Sequence, residues 1–214
     1  MSCTKLVHCL SNLMLPGLLA IIVAIGHSGC SSNNHSIPKP LRGVLLEQPV
    51  TVNHFQLTTQ DGNEFTEENF HNQWTMMFFG YTHCPDICPT TLTELAALAK
   101  RLAQEGKPQI VFVSVDPQRD TPRHLKEYIT YFDEDFLALT GKADRISGLT
   151  KQLKIKYSLE PAIDDNYVVN HSSAVLLIDP QGRYVANFKA PHYAETLQAQ
   201  FDQVKRFINT PANT

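Results

Sequence analysis

The stretch TMMFFGYTHCPDICPTTLTELAAL, residues 75–98, constrains the fold of this chain more than any other. It opens with a short apolar run bounded by turn formers, which reads as a buried strand. From Pro89 onward Leu92, Leu95, Leu98, Ala99 and Leu102 recur at helical spacing, and Gly106 reads as the closing cap. Cys84 and Cys88 stand at the junction, each followed by a proline. The N-terminus of a helix directs unpaired N–H groups and a positive dipole at Cys84, which lowers its pKa and enriches the thiolate that attacks disulfides and binds metals. If both cysteines occupy the first helical turns, their Cα atoms lie about 6 Å apart, inside the disulfide range. The pair can then close on itself or share a soft metal ion.

The rest of the chain supplies a sheet around that junction. FQLTTQDGNEFT, residues 55–66, reads as a hairpin turning at Asp61-Gly62. Further strands are expected at 110–115, 174–179 and 184–188. Helices are expected at 122–133, with Thr121 as cap and Pro122 in first position, then at 143–156 and 193–208. Strands alternating with helices and closing on a late hairpin make an α/β sandwich. A strand-to-helix junction bearing two cysteines is the thioredoxin arrangement. The expected fold is therefore thioredoxin-like over residues 44–210, a central mixed sheet with helices on both faces and an N-terminal hairpin. A chain of 214 residues can bury one such core.

The first thirty residues have another character. Lys5 and His8 precede the apolar run LMLPGLLAIIVAIG, residues 13–26, and HSGC follows, ending on Cys30. The run is shorter than the roughly 20 residues a spanning helix needs, and Pro16-Gly17 interrupts it, so residues 1–30 read as a secretory signal. SGC resembles the end of a bacterial lipoprotein signal, with Cys30 as the lipidated residue, although His27 departs from the apolar residue preferred there. The alternative is an uncleaved membrane anchor. Either way the domain is expected on the extracytoplasmic, periplasmic face of a bacterial membrane, joined to its tether by a polar linker over 31–43. Lys and Arg number 18 against 21 Asp and Glu and are scattered, which removes nucleic acid as a partner.

That placement leaves Cys84 and Cys88 as the cysteines of the folded domain, because Cys3 and Cys9 belong to the targeting segment. A disulfide between them encloses only three residues and gives little entropic stabilisation, so the pair is there for chemistry. Two thiolates make an incomplete metal site, and the nine histidines are the source of a third donor. His8 and His27 lie in the targeting segment and His35 in the linker. His54, His71, His124 and His192 lie in polar stretches that suit solvated side chains. His83 adjoins Cys84, and adjacent side chains point different ways. His171 stands just before an apolar strand, where thioredoxin-like proteins place a proline loop against their cysteines, and here the residues are Asn-His-Ser-Ser.

Other residues have plainer readings. Met76 and Met77 are strand neighbours that point to opposite faces and so belong to the core. Asp116 and Asp120 flank a turn and help to cap a helix, and the alternative for both is a supporting role behind the metal ligands, with Asp116, at the end of a strand beside the cysteine strand, placed to reach the site's edge. Asp164, Asp165 and Asn166 read as a polar loop tip.

Three stretches together, YTHCPDICP (81–89), VSVDPQRDTP (113–122) and HSSAVLLIDPQG (171–182), resemble the Sco/SenC proteins of copper-dependent respiratory assembly. The resemblance spans about residues 43–208. It implies that Cys84, Cys88 and His171 bind one copper ion per chain, and that the protein helps to build the binuclear copper centre of cytochrome c oxidase. The implied partners are a copper donor, the copper-accepting oxidase subunit and a thiol reductant. Asn170 departs from the family's usual Asp before the histidine, which leaves the ligand in place and bears on how the metal is tuned. The ligand chemistry agrees: two thiolates and an imidazole suit Cu(I), and an added oxygen accommodates Cu(II). Structural zinc sites use four protein ligands, and no fourth Cys or His is evident. Ligand exchange rather than turnover is the expected action. The alternative is a thiol-disulfide oxidoreductase in which Cys84 and Cys88 reduce the oxidase's copper-ligand cysteines. No Pro-x-x-x-Thr-x-x-Cys pattern supports a peroxidase.

Overall fold

The computed structural model describes residues 37–103, 106–160 and 167–210. The targeting segment, Cys30, the first part of the linker and the Asp164-Asp165-Asn166 stretch lie outside the described residues. In chain order the strands are β1 (Leu45–Thr51), β2 (Leu57–Thr59), β3 (Glu64–Phe65), β4 (Thr75–Gly80), β5 (Gln109–Ser114), β6 (Leu137–Thr140), β7 (Tyr157–Leu159), β8 (Val169–His171), β9 (Val175–Ile178) and β10 (Arg183–Phe188). Helices α1 (Ile87–Arg101), α2 (Pro122–Thr130), α3 (Ala143–Gln152) and α4 (Ala194–Asn209) and two short 3-10 turns, Lys39–Leu41 and Glu67–Phe70, complete the described elements.

Eight strands form one sheet in the order β1-β10-β9-β4-β5-β6-β2-β3. β4, β5 and β6 are parallel, and β9 runs antiparallel to β4 in the register Met76↔Leu177 and Phe78↔Val175. The sheet is therefore mixed, as expected. Every residue of β4 and β9 is buried, which requires cover on both sheet faces, and Met76 and Met77 are core residues. The 55–66 hairpin forms with Gly62 at φ +83, a conformation that suits glycine, and it extends the sheet edge beyond β6. The final strands pair as the expected late hairpin.

Several boundaries differ from the sequence expectations for local reasons. α1 begins at Ile87, so Pro89 falls in the first turn, where a missing N–H costs nothing. It ends at Arg101, and Gly106 lies beyond it rather than capping it. Cys84 precedes the helix instead of occupying its first turn. α2 is capped by the Thr121 hydroxyl, which accepts from the His124 N–H at 3.3 Å, but it stops at Thr130. α3 stops at Gln152 because Lys154 turns left-handed at φ +56. The Lys154 N–H then bonds the Lys151 carbonyl at 3.3 Å and the Ile155 N–H bonds the Thr150 carbonyl at 2.8 Å, a paired reversal that closes the helix.

Four strands were not foreseen: β1, β6 and the two-stranded β7–β8 ribbon, which pairs apart from the main sheet with Tyr157 opposite His171. Residues 39–41, assigned to the linker, form a single turn whose Leu41 is buried in the core, so the end of that stretch packs on the domain. Among the described residues no helix is long and apolar enough to cross a membrane.

Candidate metal centre

β4 delivers the chain to the site at Gly80, and the glycine is required there. A Cβ at this position would lie 2.7 Å from the Cys88 Sγ and 2.8 Å from Cε2 of Phe112. The strand end therefore leaves room for one sulfur. A tight turn follows, with the Cys84 N–H bonded to the Tyr81 carbonyl at 3.2 Å, and α1 starts three residues after Cys84. Asp86 occupies the N-cap position yet makes no side-chain capping bond. The Cys84 sulfur instead receives the Cys88 N–H at 3.4 Å, so it collects the field of the helix start.

Both cysteines are free and buried. A hydrogen bond from the Cys88 thiol, opposed by burial and aided by the N–H groups of Cys88 and Asp86, brings the Cys84 thiol down to about 4. The Cys88 thiol is pushed far up, by the proton it gives to Cys84, by its burial and by repulsion from the Cys84 thiolate. The two sulfurs thus hold one proton between them at neutral pH. The lowered pKa expected of Cys84 is present, with Cys88 as its largest cause.

His171 reaches the sulfurs from the end of β8. Its Nδ1 lies 2.9 Å from the Ser172 carbonyl, which can only accept, so in the neutral ring Nδ1 carries the proton and the Nε2 lone pair faces inward. Nε2 stands 3.3 Å from the Cys88 Sγ. The edges and faces of Phe78 (6.1 Å, 73°) and Tyr81 (5.8 Å, 87°) hold the imidazole in orientation. The donor atoms of Cys84, Cys88 and His171 all lie within 4.8 Å of one another, and among the described residues no fourth His, Cys, Asp or Glu joins the group. Two sulfurs and one imidazole nitrogen form a soft, low-coordinate set.

The carboxylates support this loop from behind. Asp120 is fully buried and accepts the Thr82 N–H (3.1 Å), the Thr82 hydroxyl (2.5 Å) and the Ser114 hydroxyl (2.6 Å), which anchors the turn leading to Cys84. Asp116 pairs with Arg119 and accepts the Tyr167 hydroxyl at 2.5 Å. The Arg119 guanidinium lies 3.7 Å from the Tyr167 ring centre and 5.5 Å from that of Tyr81, which packs on His171. Neither carboxylate belongs to the donor group. Gly80, Thr82, Arg119 and Tyr167 were not singled out in the sequence, although Arg119 between two aspartates was a visible cue.

The other histidines stay outside the site. His83 is exposed and packs on His124 at 5.6 Å. His192, expected in solvent, is buried: its Nε2 lies 2.8 Å from the Ser173 carbonyl, and burial lowers its pKa. It braces the loop after His171. Asn170 is exposed and gives its side-chain N–H to Glu160 at 2.5 Å, turned away from the donors.

The SCO1/SenC family model matches residues 45–206. The chain is 30% identical over 90% of its length to a putative copper-binding protein of Stutzerimonas stutzeri, covering 96% of that protein. It is 35% identical over 86% of its length to an SCO2-like protein of Rickettsia prowazekii, covering 89% of it. The crystal structure of Arabidopsis thaliana ScoI with copper bound superposes at a TM-score of 0.67 with 34% identity, over 74% of this chain and 98% of that one.

Proposed function

This chain belongs to the SCO1/SenC family, and from that premise we propose that it is a membrane-tethered, extracytoplasmic copper carrier for cytochrome c oxidase assembly. Cys84, Cys88 and His171 bind one copper ion per chain, and the protein passes it to the binuclear copper site of the oxidase's copper-accepting subunit. The observation that carries the reading is the convergence of two sulfurs and one oriented imidazole nitrogen within 4.8 Å. Copper is cargo here. A three-donor protein set suits Cu(I) and leaves coordination room for an incoming ligand. The tether is Cys30 lipid or the N-terminal apolar segment, as the sequence 1–30 suggests.

The reductase reading fits the same cysteines less well. A thiol at about 4 stabilises the reduced pair, and a stabilised dithiol is a weak reductant. Disulfide exchange also has no use for an imidazole nitrogen 3.3 Å from Cys88. The test is titration of the reduced protein with Cu(I) and Cu(II), recording metal stoichiometry and thiolate-to-copper absorbance. One equivalent bound tightly, and lost in His171→Ala, supports the carrier. Tight one-to-one binding retained in His171→Ala would sink the three-donor site.

A further inference from the structure

His171 is the one member of the donor group that lines a surface groove of about 1080 Å³; neither cysteine does. The groove lies between the end of α3 and the β7–β8 ribbon. The left-handed Lys154 that closes α3 lays Lys154, Ile155 and Lys156 along this wall, beside Lys151 from the last helical turn. Among the described residues the lining contains these three lysines and no acidic side chain, in a chain whose formal charge is -3; Glu160, just past the end of β7, is held by the Asn170 side chain. The described lysines that form ion pairs are Lys107, Lys126 and Lys205, all elsewhere. Leu159 is 52% exposed in the groove, and Val168, 49% exposed, lies on the facing chain of the ribbon. A merely solvated lysine face needs neither a concavity nor large apolar side chains in water beside it.

We propose that this groove docks an acidic polypeptide segment of the copper-accepting partner, with carboxylates against Lys151, Lys154 and Lys156 and an apolar side chain against Leu159. The segment then lies beside His171, the donor closest to solvent, and its own ligands arrive where copper leaves. The proposal rests on the copper-delivery reading and names how that partner is recognised. A concave site fits a chain segment better than a flat lipid surface, and like-signed lysines steer an acidic partner and reject a basic one.

The test uses the reduced, copper-free full chain and a labelled peptide of alternating Glu and Leu, with a Lys-for-Glu peptide as control. The acidic peptide should bind and the control should not. The combined Lys151→Glu, Lys154→Glu and Lys156→Glu variant should weaken binding by about tenfold or more at low salt, a difference that high salt removes. Its copper stoichiometry should stay unchanged, which also reports that it folds. Copper transfer to the purified, metal-free copper-accepting domain of the oxidase should slow by a similar factor. Equal binding of the two peptides, or wild-type binding by the variant, overturns the proposal. So does lysine-dependent binding to phosphatidylglycerol vesicles without peptide binding. If the peptide binds as described but the wild-type chain passes no copper to the oxidase domain, the delivery reading fails and the acidic-segment site stands.

Discussion

The sulfur of Cys88 and Nε2 of His171 stand 3.3 Å apart although 83 residues of chain separate them. The sheet closes that distance, since β4 and β9 pair directly, with Phe78, ten residues before Cys88, opposite Val175, four after His171. The sheet's most buried strand pair therefore brings the two chain segments to the same end of the core.

Loss of any one donor should cripple binding. Cys84→Ala, Cys88→Ala and His171→Ala should each reduce copper affinity by more than about 100-fold, beyond what loss of a supporting contact costs. His83→Ala, on an exposed ring outside the donor group, should leave affinity within about twofold by the same comparison. Competition titration against a chromophoric Cu(I) chelator reads both.

Acidity should follow the shared proton. The Cys84 thiol lies at about 4 chiefly because Cys88 donates to it, so Cys88→Ala should raise it several-fold in proton affinity while Cys88→Ser, which keeps a donor, should hold it low. Ultraviolet thiolate absorbance against pH distinguishes the two. Because free cysteine titrates near about 8.5, the lowered Cys84 contributes stability above that pH and loses it as pH falls through 4. The raised Cys88 acts in the opposite sense, opposing stability as pH rises above the ordinary thiol range. Copper entering at neutral pH must displace the Cys88 proton, so apparent affinity should rise by about tenfold per pH unit.

Gly80→Ala should damage the fold and the site together. The added methyl meets the Cys88 sulfur at 2.7 Å and the Phe112 ring at 2.8 Å, both in a fully buried setting. Overpacking of this kind costs about 1–3 kcal/mol. Urea unfolding should show the loss, and copper titration of the folded variant should show weaker binding because Cys88 is displaced. A variant with unchanged stability and affinity would contradict the packing described.

Asp120→Ala removes the acceptor for Thr82 and Ser114 and leaves buried donors unpaired. Stability should fall by about 1–3 kcal/mol, the range for stranding such groups. Copper affinity should fall about tenfold, because the turn before Cys84 loses its anchor while all three donors remain. An affinity loss as large as that of Cys84→Ala would place Asp120 among the ligands instead.

The strand, the cysteine turn and the three donors were legible because each rests on short-range pattern: a hydrophobic run, a spaced pair, a histidine ahead of an apolar strand. What escaped is long-range. β1 carries Pro49 and a register shift between Leu45 and Val50, which hide strand alternation, and β6 is four residues long. β7 and β8 have three residues each, too few for any period, and only their pairing defines them. Tyr167 reaches Asp116 across 51 residues, and His192 is buried by contact with Ser173, neither of which leaves a local mark.

The two-stranded ribbon gives the three donors unequal mechanical footing. Cys84 and Cys88 are set in the turn and first helical residues that sit directly on β4, so shifting either sulfur disturbs the packed interior. His171 rides on β8, whose only strand partner among the described residues is β7. Among the described residues, withdrawing the imidazole gives up its contacts with Cys88, the Ser172 carbonyl and the Phe78 and Tyr81 rings, and no strand pairing of the eight-stranded sheet. The centre is a vice with one jaw cast into the frame and one mounted on a slide. On the copper-carrier proposal, a ligand count of three would fall to two with the sheet intact, and a competing ligand would have to outbid one nitrogen before it met the sulfurs.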